Sequence, residues 1–225
     1  MATHVDDEEQ VENLKRWWRE NWLALVVGLA IGFGAIGGWQ GYQSWRGERA
    51  ANASRMYDDL KKSLDAGKAD EAEQIGKKLK EDYAGTPYAA AGALLLARSE
   101  VDGGKLDEAI AELGWAREHA PDDGMRRIAA LRLAQVQWQK GEADAALATL
   151  DGEAGAFAPL YEELRGDILL SKGDRDAARS AYRKALDAAG GDGAANHELL
   201  QQKFDDLAMP TAEASPATPQ PEAKS

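Results

Sequence analysis

The chain has 225 residues with a net charge of −12, 44% hydrophobic and 29% charged content, and no cysteine. The acidic balance argues against nucleic acid as a partner, because phosphate binding depends on Lys and Arg displacing counterions. The missing cysteines exclude a disulfide framework, a thiolate nucleophile and a thiolate metal site.

Residues 1–20 form an acidic head, with Lys15, Arg16 and Arg19 close to the stretch that follows. From Asn21 to Trp45 the chain carries no charge, and a helix over it is ~37 Å long against a hydrocarbon core of ~30 Å. Trp17, Trp18 and Trp22 on one side and Trp39, Tyr42 and Trp45 on the other match interfacial aromatic belts. A cleaved signal wants a shorter apolar core and a small-residue exit, so residues 21–45 read as a retained transmembrane helix. Basic residues tie across it, Lys15, Arg16 and Arg19 against Arg46, Arg49 and Arg55, and leave its direction open. Within it Gly28 and Gly32, Gly34 and Gly38, and Gly37 and Gly41 are each spaced by four. Small residues at that spacing let another helix approach closely, although glycine is also simply common in membrane helices.

Residues 46–209 lack strand-like alternation, and Pro87, Pro121 and Pro159 fall where a helical pattern restarts. A phrase Gly-x-x-Asp-x-Ala returns four times, at Gly67, Gly104, Gly141 and Gly173, with intervals of 37, 37 and 32 residues. Glycine tolerates the positive φ that ends one helix, aspartate suits the positive end of the next, and alanine permits close packing. Such intervals are those of a helix-turn-helix repeat. Leu96 with Ala97, Leu133 with Ala134, and Gly166 take the packing positions of successive first helices. The expected fold is all-α, a single N-terminal transmembrane helix followed by a tetratricopeptide-like solenoid, clearest over 87–189. The unit beginning near Ala50 is degenerate, since Asp59 and Gly76 stand where large apolar groups are wanted, which leaves a capping pair as its alternative. Residues 196–207 read as a final amphipathic helix covering the open end. Residues 210–225, proline-rich and without large apolar side chains, read as a disordered tail.

Signals for chemistry are weak. His4, His119 and His197 have no second ligand three or four residues away, and no strand-to-helix phosphate loop occurs. No metal, cofactor or small-molecule substrate is expected, and no catalytic residue is assigned. Adjacent carboxylates such as Asp58-Asp59 and Glu162-Glu163 diverge by ~100° on a helix and read as solvated faces. A repeat array binds partners on the face lined by its first helices, and the repeat register places Arg98, Gln135, Trp138 and Asp167 there. Trp138 has a second reading as a packing residue, and the three polar residues a second reading as a solvated inner face.

The head Glu9-Gln-Val-Glu-Asn-Leu-Lys-Arg-Trp-Trp-Arg-Glu-Asn-Trp22, the span ending Gly38-Trp-Gln-Gly-Tyr42 and the repeat body together resemble the bacterial YfgM family over about residues 8–209. The resemblance implies a non-enzymatic, single-pass inner-membrane protein with a cytoplasmic amino end and a periplasmic repeat domain, accessory to the SecYEG translocon. It also implies partnership with a PpiD-like periplasmic chaperone, and in the leading reading the repeat body contacts that chaperone or emerging proteins. A membrane-tethered scaffold for another envelope pathway is the competing reading.

Overall fold

The computed structural model describes residues 3–190 and 197–207, with side chains described from residue 11 onward. Every regular element among the described residues is helical. The chain divides into two compact units, Met1–Asn52 and Ala53–Ser225. The tail at 210–225, for which disorder is expected, lies outside the described residues, as does the side chain of His4.

In the first unit the apolar stretch 21–45 lies wholly inside helix α1 (Thr3–Asp65). It is long and apolar enough to cross a membrane, and none of its apolar window is buried against the rest of the protein. Leu29, Ile31, Phe33 and Ile36 are all exposed, as side chains are when lipid rather than protein is to surround them. At the far rim Tyr42 and Trp45 stack with centroids 6.2 Å apart. The Arg46 guanidinium lies 5.6 Å from the Tyr42 ring and that of Arg49 5.6 Å from the Trp45 ring, amphipathic groups suited to a headgroup layer.

The second unit begins with the last turns of α1 and continues through α2 (Ala69–Tyr83), α3 (Pro87–Asp102), α4 (Leu106–His119), α5 (Asp123–Gln139), α6 (Ala143–Thr149), α7 (Ala158–Ser171), α8 (Arg175–Ala189) and α9 (His197–Asp206). From α2 onward each helix packs on its successor, and α3 also meets α5 and α5 meets α7, the neighbour relations of a repeat stack. The four phrase glycines have φ between 71° and 92°. At each, the same pair of backbone bonds closes the helix: Gly104 donates to the Val101 carbonyl and Lys105 to that of Glu100, and the other three turns repeat this. The phrase aspartates Asp70, Asp107, Asp144 and Asp176 sit in the first turns of α2, α4, α6 and α8. None of them is the N-cap, so they act through charge on the helix dipole. The phrase alanines Ala72, Ala109, Ala146 and Ala178 are fully buried where paired helices touch.

Pro87 opens α3 behind a Thr86 cap whose hydroxyl accepts from the Ala89 amide, and Asp122, just after Pro121, caps α5 by accepting from Met125. Two features of the sequence acquire a physical reason. Gly76 is buried because Leu96 fills its place: a Cβ there would lie 2.2 Å from the Leu96 Cδ1. The unit near Ala50 is therefore packed, with Leu60, Ala72 and Leu79 fully buried and Asp59 exposed. The shortened interval of 32 residues coincides with α6, which has only seven residues and gives way to a short 3-10 turn at Gly155–Phe157.

Candidate functional site

The face formed by α3 and α5 carries a cleft of about 310 Å³. Its floor includes Leu94, Val101, Leu113 and Val136, the apolar sides of helices that turn their small residues Ala97 and Ala134 inward. Its rim carries Arg98 from α3 and Arg132, Gln135 and Gln139 from α5. The Arg98 side chain is 75% exposed and reaches only Asp102, at 4.0 Å. Arg132, Gln135 and Gln139 are exposed and make no side-chain hydrogen bond or ion pair with the described residues.

Of the four residues that the register places on this face, Arg98 and Gln135 come together in the cleft. Trp138 does not line it. Its ring packs on the cluster that includes Ala134 and Ile168, and its Nε1 donates to the Ser171 Oγ at 3.1 Å, tying α5 to α7. Asp167 is engaged within the chain, accepting from the Tyr182 hydroxyl at 2.7 Å and the Lys203 ammonium at 2.8 Å. Lys203 also donates to Glu163 at 2.8 Å. Burial pulls the Lys203 ammonium down, but Asp167 and Glu163 outweigh it and hold it above the usual lysine range. Burial, then the bond to Asp167, pushes the Tyr182 phenol well up. Helix α9 thus covers the α7 end of this face, with Leu200 and Phe204 packed on Ala178, Tyr182 and Ala185. Arg132 and Gln139 were missed by the register; their spacing from Gln135, at i−3 and i+4 on one helix, is the signal that places all three on one face.

A second polar cluster lies between α2, α3 and α4. Burial, followed by repulsion from Glu112, Glu108 and Glu73 and opposed by Lys80, raises the Glu100 carboxyl to about 7. Lys80 pairs with Glu112 and lies 5.8 Å from the Trp115 ring centroid. The cavity beside Glu100 holds about 110 Å³, well below the ~300–1,000 Å³ of a ligand pocket. No group of three or more metal-ligating side chains converges among the described residues.

In the membrane span, Gly28 and Gly32 form a shallow notch beside Leu25, Phe33 and Ile36. A Cβ added at Gly28, Gly32, Gly34, Gly38 or Gly41 would meet nothing within 4 Å, so these positions are open to a neighbour. At ~100° per residue the strip of Gly34, Gly38 and Gly41 lies about 130° around the helix from Gly28 and Gly32, on a separate face.

Residues 15–209 match the model of a tetratricopeptide repeat-like domain family. An ancillary SecYEG translocon subunit of Escherichia coli (strain K12) is 35% identical over 210 residues, covering 93% of this chain and 100% of its own. One from Neisseria gonorrhoeae (strain ATCC 700825 / FA 1090) is 30% identical over 211 residues, covering 92% and 100%. Among solved structures, the crystal structure of MamA protein is similar with a TM-score of 0.47 and 20% identity, covering 72% of this chain and 87% of its own.

Proposed function

The chain belongs to the tetratricopeptide repeat-like family that includes these ancillary SecYEG translocon subunits, and on that premise we propose that it is a non-enzymatic accessory subunit of the SecYEG translocon. The observation that carries this reading is that relatives of that name align over their full length, with apolar span and repeat body both matched. A shared repeat fold alone would imply far less. In this reading the span anchors the protein in the bacterial inner membrane, its amino end in the cytoplasm and its repeats in the periplasm. One glycine strip packs against a translocon or partner helix, and the second, on its separate face, is free for another. The body contacts a PpiD-like chaperone, the partner implied by the family resemblance, and segments of emerging proteins. No bond is made or broken.

Photocrosslinking residues at Gly32 and Gly38 test the docking in intact membranes. Adducts with SecYEG subunits or a PpiD-like protein are expected, and their absence from both faces would sink the translocon assignment. Orientation is tested by adding protease to spheroplasts. Cleavage of the body without lysis is expected, whereas protection until lysis would reverse the topology.

A further inference from the structure

The cleft between α3 and α5 combines features that a solvated helix face does not need. Its floor is apolar, yet its rim presents two guanidiniums and two amides on a chain with 39 acidic against 27 basic residues. Lys140, Lys172 and Lys203 each pair with a carboxylate across helices or turns. Arg132 pairs with nothing among the described residues. Arg98 has only Asp102, and a 4.0 Å pair with both side chains about three-quarters exposed holds weakly and exchanges easily.

We propose that this cleft binds an extended acidic segment of a partner protein, Arg132 and Arg98 taking an Asp or Glu side chain and the apolar floor taking an aliphatic one beside it. The inference rests on reading the repeat body as an interaction domain and names the chemistry of what it holds. A guanidinium offers a planar fork of donors matched to a carboxylate. Gln135 and Gln139 each offer a donor and an acceptor, the complement of a peptide backbone. Their separation along α5, four residues at ~1.5 Å, is ~6 Å, within about 1 Å of the ~6.6–6.8 Å after which an extended chain repeats the same face. The two amides therefore reach backbone groups two residues apart on one edge of the segment. Acidic segments are repelled by the rest of this surface, so the cationic rim also sets where such a segment lands.

The test uses the full chain in lipid nanodiscs and fluorescein-labelled nine-residue peptides with both ends blocked. The core of one peptide reads Asp-x-Leu and of the other Asn-x-Leu, and binding is followed by fluorescence anisotropy. The Asp peptide is expected to bind about tenfold more tightly, and Arg132→Gln is expected to bring the two within about twofold of each other. Arg132 is exposed, and an unchanged circular dichroism spectrum checks that the variant folds. Three results would overturn the proposal: equal binding of the two peptides, a preference that survives in the Arg132→Gln, Arg98→Gln double variant, or binding only by a peptide with a free carboxyl terminus. A fourth is binding seen only after removal of residues 208–225, which would make the chain's own end the occupant. Co-purification of the Arg132→Gln variant with SecYEG is measured in parallel. Retained association alongside lost acid preference supports the proposal, and failure of wild-type association is a failure of the translocon reading alone.

Discussion

Gly166 and Gly114 both lie in helix interiors, and their surroundings give them opposite roles. A Cβ at Gly166 would sit 2.4 Å from the Tyr182 Cε1, in a ring that is 1% exposed and held through its hydroxyl by Asp167. Gly166→Ala should therefore lower stability by about 1–3 kcal/mol in denaturant unfolding, overpacking outweighing alanine's better helix propensity. At Gly114 a Cβ meets nothing, so Gly114→Ala should raise stability by up to ~1 kcal/mol. Glu100 makes a pH prediction. Its carboxyl is raised from 4.5 to about 7, so between those values the folded chain holds a proton that the unfolded chain has lost. Stability should fall as pH rises through that window and then level. Glu100→Gln should remove most of that slope in denaturation curves taken at pH 5 and pH 8. The sequence marks Gly166 by its place in the register, whereas nothing local marks Glu100. Its raised carboxyl depends on how the neighbouring helices bury it and on which carboxylates α2 and α4 bring alongside.

At the scale of elements, α6 departs from the pattern. The phrase at Gly141 predicts a second helix like the others, and only the shorter interval to Gly173 hints that it stops early. The segment that replaces its missing turns is secured from outside. Arg165 donates to the Leu150 carbonyl at 2.8 Å and to Asp151 at 3.0 Å, Arg127 donates to the Glu153 carbonyl at 3.1 Å, and the Tyr161 hydroxyl donates to that of Arg127 at 2.9 Å. Arg165→Ala should cost about 1–3 kcal/mol and speed hydrogen exchange over residues 150–157 while leaving α3 unchanged. Turns and buried alanines were legible because each is a local requirement on φ or volume. The cleft was legible only in part. Arg98 and Gln135 follow from the repeat register, but exposed Arg132 and Gln139 leave no apolar periodicity to read. Whether Trp138 and Asp167 face solvent or serve neighbouring helices is decided by Ser171, Tyr182 and Lys203, which lie in later elements.

Over the whole repeat unit, each helix pair rests chiefly on its neighbours, so damage should stay near its origin. Leu200, buried under α9, tests this. Leu200→Ala should cost about 2–4 kcal/mol of local stability, read as faster exchange in α8 and α9 with α3 and α4 unaffected. Uniform loss of protection along the unit would show a single cooperative block instead. The four recurring turns add a consequence of their own. Gly67, Gly104, Gly141 and Gly173 have positive φ, yet a Cβ at any of them meets no atom within 4 Å. These sites demand a handedness and not a volume. L-alanine at Gly104 should cost ~1 kcal/mol, while D-alanine introduced by chemical ligation prefers that same backbone and should stabilise the turn by restricting the unfolded chain. The repeat is thus written partly in chirality, and glycine stands at these four positions as the encoded residue that accepts a mirror-image backbone at least cost.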